Sequence, residues 1–349
     1  VSEIVFIMAI APLLTPDNQI KGLAISVIIG GLAQLVIQWP QIRNMGWHLR
    51  WKLNFNHPGL KRIGLLMIPA LIGLSVDQIN AFVDTICASF LQQGSITALY
   101  YSNRVMQLPL AIFGIAFSSV ALPAMSKAVA ESNISALKET FNFAVRFVIF
   151  ILIPSAIGLM VIGFPIIHVL FERGQFDRHA TLLTNSALFY YSLGLPAYAI
   201  AKIVASAFYS HQETKTPVKI AAIAMIINAI LCIILMRFMG VGGLALASAV
   251  ASYFNACALI VLLRRKIGLL GITRIVKTAA KTLIAGIIMA IVSYLIAFHL
   301  FVNKPLLGLV LALAGGIGVY FLMAIILNME ERKPLLNFFK NDGREYLEE

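Results

Sequence analysis

ALYYSNRVMQLPLAIFGIAFSSVALPAMS, residues 98–126, carries a single charged side chain, Arg104, in an otherwise apolar or weakly polar run. About 20 apolar residues in a helix cross the hydrocarbon core of a bilayer, so this stretch is long enough to span it. The rest of the chain has the same character. Of 349 residues, 60% are hydrophobic and 12% charged, with a mean hydropathy of +0.89. A soluble globular domain carries about 25% charged residues. The apolar excess falls into long blocks, the signature of membrane spans.

Nine blocks qualify as full spans, near Lys21–Trp39, Gly64–Phe90, Thr97–Ala124, Ala144–Ile162, Leu182–Tyr209, Val218–Phe238, Gly243–Leu263, Thr282–Phe301 and Leu306–Leu327. An apolar stub at Ile4–Leu14 is too short to cross, and it lacks the basic flank of a signal peptide. It is expected to be the end of a helix entered midway, in a chain truncated at its N-terminus. The predicted class is an all-α polytopic membrane protein of about nine full transmembrane helices plus a partial first one.

Charge orients the spans. The connections 40–63, 125–146, 210–219, 264–281 and the tail hold 20 of the basic residues, whereas the alternate set holds 5: Lys21, Arg173, Arg178, Arg237 and Lys304. The positive-inside rule places the first set and the C-terminus in the cytoplasm. Topology thus accounts for most of the net charge of +12, helped by attraction to membrane lipids, and no nucleic-acid partner is implied.

The two remaining cations, Arg104 and Lys202, lie inside spans, where a charge faces a bundle interior or a wet cavity, snorkels, or is paired. Thr97, Tyr100, Gln107 and Ser118 share the helical face of Arg104 and make a polar stripe. One span earlier, Asp77, Asn80 and Asp84 recur on one side of a helix. Asp77 or Asp84 could pair with Arg104. Alternatively, Asn228 and Ser248 could complete an oxygen-rich cation site with Asp84, if three helices converge.

Prolines at 69, 109, 123, 154 and 196 interrupt the spans and remove helical hydrogen bonds. The small residues 314–318, AGGIG, offer a surface for close helix approach. Residues 126–142 have the pattern of an amphipathic helix lying on the inner surface. After residue 166, Gly174 is placed to end one helix and Asp177 to cap the next. The cysteines Cys87, Cys232 and Cys257 read as small apolar residues without metal-ligand spacing. No nucleotide-binding or hydrolase motif occurs, so the chain is not expected to be an enzyme, and no cofactor is expected beyond a coupling cation or the membrane potential.

Three motifs together carry a resemblance. Residues 98–126, the run FERGQF at 171–176, and FYSHQETKTP at 208–217 resemble, in order and spacing, motifs of the MurJ/MviN lipid II flippases. That family belongs to the multidrug/oligosaccharidyl-lipid/polysaccharide exporter superfamily, and the similarity runs along the whole chain. The resemblance implies that residues 1–59 are the end of an N-terminal lobe (helices five and six of the family) with a cytoplasmic linker. Residues 60–265 would be a six-helix C-terminal lobe, 266–327 the final two transmembrane helices, and 328–349 a cytoplasmic tail. It further implies translocation of lipid II, an undecaprenyl-diphosphate-linked peptidoglycan precursor, across the bacterial inner membrane by alternating access. Arg104 matches the family's cavity arginine, with Asn103, Gln107, Thr97 and Lys202 as further candidate substrate contacts. Many members carry Asp where this chain has Asn103, and some carry Glu where it has Gln107, so this face is less acidic here. An exporter of another polyprenyl-linked saccharide or of drugs is the alternative function, and a membrane enzyme of polyprenyl metabolism a third. No protein partner is indicated.

Overall fold

The computed structural model describes residues 16–44, 78–300 and 304–332, and among these there is no strand. The chain divides into two compact units, Val1–Leu66 and Met67–Glu349. In the first, helix α1 spans Pro16–Asn44. Its apolar stretch Ala24–Pro40 exposes Ile28, Leu35, Val36 and Ile37, as a lipid-facing helix does.

The second unit holds eight described helices. They are α2 (78–89), α3 (Ser95–Ala130), α4 (Ile134–Phe171), α5 (Arg178–Ser210), α6 (Lys215–Met239), α7 (Val241–Ile267), α8 (Ile272–Leu300) and α9 (Pro305–Ile326). The last seven are long and apolar enough to cross a membrane, and each overlaps a span expected from sequence. The chain is therefore a multi-pass membrane protein. The short stub at Ile4–Leu14, Asp77, and most of the expected span Gly64–Phe90 lie outside the described residues.

Helix α5 is the hub, packing against α3, α4 and α7. Its sequence allows this because small residues line it: Ala187, Ser192, Ala197, Ala199 and Ala207 are buried. Helix α7, packed against it, likewise buries Ala245, Ala247 and Ala249, so dispersion between closely spaced backbones holds the pair where lipid removes the hydrophobic drive. At the crossing, a Cβ on Gly194 would sit 2.9 Å from the Cα of Ala249, so only glycine permits this approach. The outer faces stay apolar: Ile226, Ile230, Ile233 and Phe238 of α6 are exposed, the arrangement a bilayer solvates.

Pro109 lies within α3 and is followed by a π-helical segment, Leu110–Ile115. Proline supplies no N–H, and the widened turn is one way a helix absorbs that loss. Pro154 in α4 leaves the carbonyl of Phe150, four residues earlier, without its helical donor. The hydroxyl of Tyr320 on α9 donates to that carbonyl, and the two rings pack with centroids 5.3 Å apart. Helix α9 also meets α8 through the expected small-residue surface. A Cβ on Gly316 would lie 2.3 Å from Ser293 Oγ, and that hydroxyl donates to the carbonyl of Ala312 at 3.1 Å.

The surface helix expected over residues 126–142 does not form. Helix α3 runs on to Ala130, Ser132 takes φ 54°, and α4 begins at Ile134 with Asn133 accepting from the Ala136 N–H. The amphipathic pattern belongs to two helix ends leaving the membrane. Helix α4 ends at Phe171 rather than at Gly174, which takes φ 59°, and Asp177 caps α5 by accepting from the Ala180 N–H at 2.8 Å.

Candidate functional site

Two polar groupings stand out within the second unit, one on an open face and one buried. The open one follows α3. Thr97, Tyr100, Arg104 and Gln107 are exposed, and Asn103 and Ser118 are partly so. Internal bonds order the stripe. Arg104 Nη2 donates to the Tyr100 hydroxyl at 3.2 Å, with its guanidinium carbon 5.0 Å from the ring centroid. Gln107 Nε2 donates to Asn103 Oδ1, and Asn103 is also bonded to the buried Tyr191 of α5. Each of these α3 pairs is four residues apart, the spacing at which side chains stand above one another.

Fourteen residues beyond Arg104, roughly 20 Å along the helix by its 1.5 Å rise, Ser118 meets α5. Its hydroxyl lies 2.8 Å from Ser206 Oγ and 3.4 Å from the carbonyl of Lys202, whose own side chain is exposed. Arg104 and Lys202 are thus two exposed cations separated along α3 by the apolar run 108–117, in which Leu108 and Ile112 are exposed.

The buried grouping centres on Asp84 of α2. One carboxylate oxygen accepts from Asn228 Nδ2 at 2.8 Å and from Cys232 Sγ at 3.3 Å. The other accepts from Ser248 Oγ at 3.1 Å. Asn228 also donates to Asn80 Oδ1 at 2.8 Å. Helices α2, α6 and α7 therefore converge on this carboxylate, bringing Asp84, Asn228 and Ser248 together. The pairing of Asp84 with Arg104 is not made. Asp84 directs its oxygens toward α6 and α7, while Arg104 turns to Tyr100 and the open side. Asp77 lies outside the described residues.

Asn80 and Cys232 also belong to this cluster. Asn80 stands four residues before Asp84, and Cys232 four after Asn228, so helical spacing held the signal. Cys232 is correspondingly more than an apolar filler, because its thiol is a donor to the carboxylate.

The other two motifs fasten helices. Phe171 and Phe176 pack on Tyr101 of α3 at centroid distances of 4.7 and 5.5 Å. Between them, Glu172 accepts from Thr181 at 2.7 Å and lies 2.8 Å from His168 Nδ1, which holds its carboxyl below the usual range. At the opposite turn, Glu213 accepts from Lys266 of α7 and from Thr216, and Phe208 is buried beneath. The Lys266 ammonium is the main cause of a lowered Glu213 pKa.

A bundle of seven long apolar helices, with an ordered polar cluster around an exposed arginine, defines a polytopic α-helical membrane protein. Residues 1–315 match the sequence profile of the family described as lipid II flippase MurJ, and the chain belongs to that family. A probable lipid II flippase MurJ of Vibrio cholerae is 42% identical over 238 residues, covering 68% of this chain and 45% of that protein. Its counterpart in Rhizobium meliloti is 34% identical over 312 residues, covering 85% and 57%. The chain thus spans about half the length of these relatives. Among solved structures, a lipid II flippase MurJ in an inward closed conformation matches with TM-score 0.77 and 28% identity, over 93% of this chain and 65% of that one. An outward-facing multidrug transporter of the MATE family shares the fold alone, at TM-score 0.53 and 13% identity, over 79% of this chain and 70% of that one.

Proposed function

We propose that this chain supplies the C-terminal lobe and final helix pair of a flippase that moves lipid II across the bacterial inner membrane by alternating access, with its C-terminus in the cytoplasm. The supporting observation is the exposed guanidinium of Arg104 in an ordered polar cluster on α3. A lipid-linked diphosphate cannot cross hydrocarbon unaided, because its charges would lose their hydration. Guanidinium binds such a group through parallel N–H bonds. Lys202, exposed near Ser118, is suited to meet the same charge at another stage of transport. Thr97, Asn103 and Gln107 offer neutral hydrogen bonds beside Arg104. The reading is that of a transporter and not of an enzyme: it needs binding and release, with no bond broken.

The Asp84 cluster supports a second element of the proposal. Asp84, Asn80, Asn228 and Ser248 gather oxygens from three helices, the ligand type a hard cation takes. Binding there would tie α2 to α6 and α7 and could couple an ion gradient to the motion of the lobe. Export of a different polyprenyl-linked saccharide rests on the same phosphate chemistry, and transport of labelled substrates separates the two.

The deciding experiment is complementation of a flippase-depleted bacterium by the complete native protein. Arg104→Ala should abolish growth at unchanged protein level, and Arg104→Lys should restore little, since ammonium lacks the planar fork. Because Asp84 is bonded elsewhere, adding Asp84→Asn to Arg104→Ala should not rescue. Normal growth of Arg104→Ala, or rescue by the double variant, would show that the arginine does not hold substrate.

A further inference from the structure

We propose that the basic end of the α4, α8 and α9 group is a binding site for the headgroup phosphate of an anionic phospholipid. A cavity of about 350 Å³ opens there, lined by Arg146, Arg274, Lys277 and Lys281 together with Glu330 and Glu331 of the turn after α9. Four cations face two carboxylates, an excess of positive charge in one small volume.

The groups in it are not equivalent. Glu331, 5% exposed, bonds Arg146 Nε at 2.6 Å and the Thr278 hydroxyl at 2.8 Å, which makes it a fixed internal partner. Lys281 Nζ donates to the carbonyl of Leu327 at 2.7 Å and so caps the end of α9. Arg274 and Lys277 are different. They are exposed, stand one turn apart on α8, and form no ion pair among the described residues. The remaining edge of Arg146 is already met by an anion from the solvent side. Glu330 Oε2 lies 2.8 Å from Nη2, although Glu330 is 74% exposed. That carboxylate occupies the position a phosphate oxygen would take, and its exposure leaves it displaceable. The first turn of α8 adds to the field, since Gly271 at φ 64° gives it no side-chain cap and its amides present the positive end of the helix.

The occupant is a lipid because the same helix continues into the membrane. Ile284, Ile291 and Leu295, at i+7, i+14 and i+18 from Lys277, are exposed on the same face of α8 as that lysine. A headgroup on Arg274 and Lys277 would lay its acyl chains along that stripe. Juxtamembrane lysine and arginine attract anionic headgroups in this way. The site lies apart from the polar cluster on α3, so its occupation does not depend on what the chain transports.

Binding is measured on the complete native protein in detergent, titrated with short-chain phosphatidylglycerol and, separately, with phosphatidylcholine of the same chain length. Phosphatidylglycerol should bind tighter, and Arg274→Ala with Lys277→Ala should weaken it about thirty-fold, from the contribution typical of each basic side chain. Lys215→Ala with Lys219→Ala, the same charge change at another connection, should leave it unaltered. Glu330→Gln should strengthen it by removing the competing carboxylate. Equal losses in both double variants would mean diffuse attraction and overturn the site. So would an unchanged or weaker affinity in Glu330→Gln. Full displacement of the lipid by millimolar inorganic phosphate would assign the cavity to a free anion and overturn the lipid assignment.

Discussion

Removing one oxygen atom, by Tyr320→Phe, should loosen the last helix from the bundle. Pro154 deprives the Phe150 carbonyl of its helical donor, and the Tyr320 hydroxyl replaces it. Phe150 is 1% exposed and Tyr320 6%, so no water stands ready to take over. Phenylalanine keeps the ring packing and opens no cavity, so the main effect is the unsatisfied carbonyl, with the contact of the hydroxyl to Thr282 lost beside it. Interhelical hydrogen bonds in membranes average about 0.6 kcal/mol, because separated helices usually find other partners. A carbonyl freed by proline has no such alternative within its helix. The expected loss is therefore higher, about 1–2 kcal/mol, within the range for a buried acceptor left unpaired. Equilibrium unfolding in mixed micelles would measure it. The mechanism makes a second demand. Pro154→Ala restores an N–H to the Phe150 carbonyl, so Tyr320→Phe in that background should cost less than half as much. A neutral Tyr320→Phe, or the same loss in both backgrounds, would refute the reasoning.

Asp84→Ala should lower thermal stability clearly, because Asn228 and Ser248 lose their acceptor inside the bundle. If the cluster takes a cation, added salt of that cation should raise the melting temperature of the parent but not of Asp84→Asn; a salt response that persists in the variant removes the cation from this site. The carboxyls of Glu213 and Glu172 are held below the ordinary glutamate value, by Lys266 and by His168 respectively. Their stabilising contribution is complete above that value and is lost as pH falls through the depressed one, so Glu213→Gln should flatten the acid limb of a melting-temperature profile. In intact cells lacking the exposed native thiol Cys257, an impermeant maleimide should label Arg173→Cys and spare Lys215→Cys. The reverse pattern would invert the proposed orientation.

The spans were legible because lipid demands length and apolarity of every crossing segment, whatever its neighbours. Local chemistry was legible for the same reason of proximity, as the cap at Asp177 shows. What failed turned on one local cap and on contacts between helices. The pattern over 126–142 is amphipathic by composition, yet Asn133 bonds its own next turn and splits it, so each half simply prolongs a span. Helical spacing put Asn80 and Asp84 on one side, but spacing cannot say which helices that side meets. The pairing of Asp84 with Arg104 was a reasonable economy for two charges in hydrocarbon. Neutral donors from α6 and α7 satisfy the carboxylate instead, and the arginine is left to the open face.

That separation bears on what Arg104 can do. A guanidinium has five N–H donors in a rigid fork. A pair with Asp84 would have spent two of them and buried the group. The bond to the Tyr100 hydroxyl takes one Nη2 donor, and the ring four residues away fixes the direction of the side chain. Most donors then remain for a ligand, on a group already oriented. Gln107 and Asn103 hold each other in the same way, and Asn103 is held in turn by Tyr191. An arginine kept only to balance charge would be buried against its acid. This one is exposed, steered by neutral neighbours and largely unspent, which is the condition a site for a diphosphate must meet before any substrate arrives.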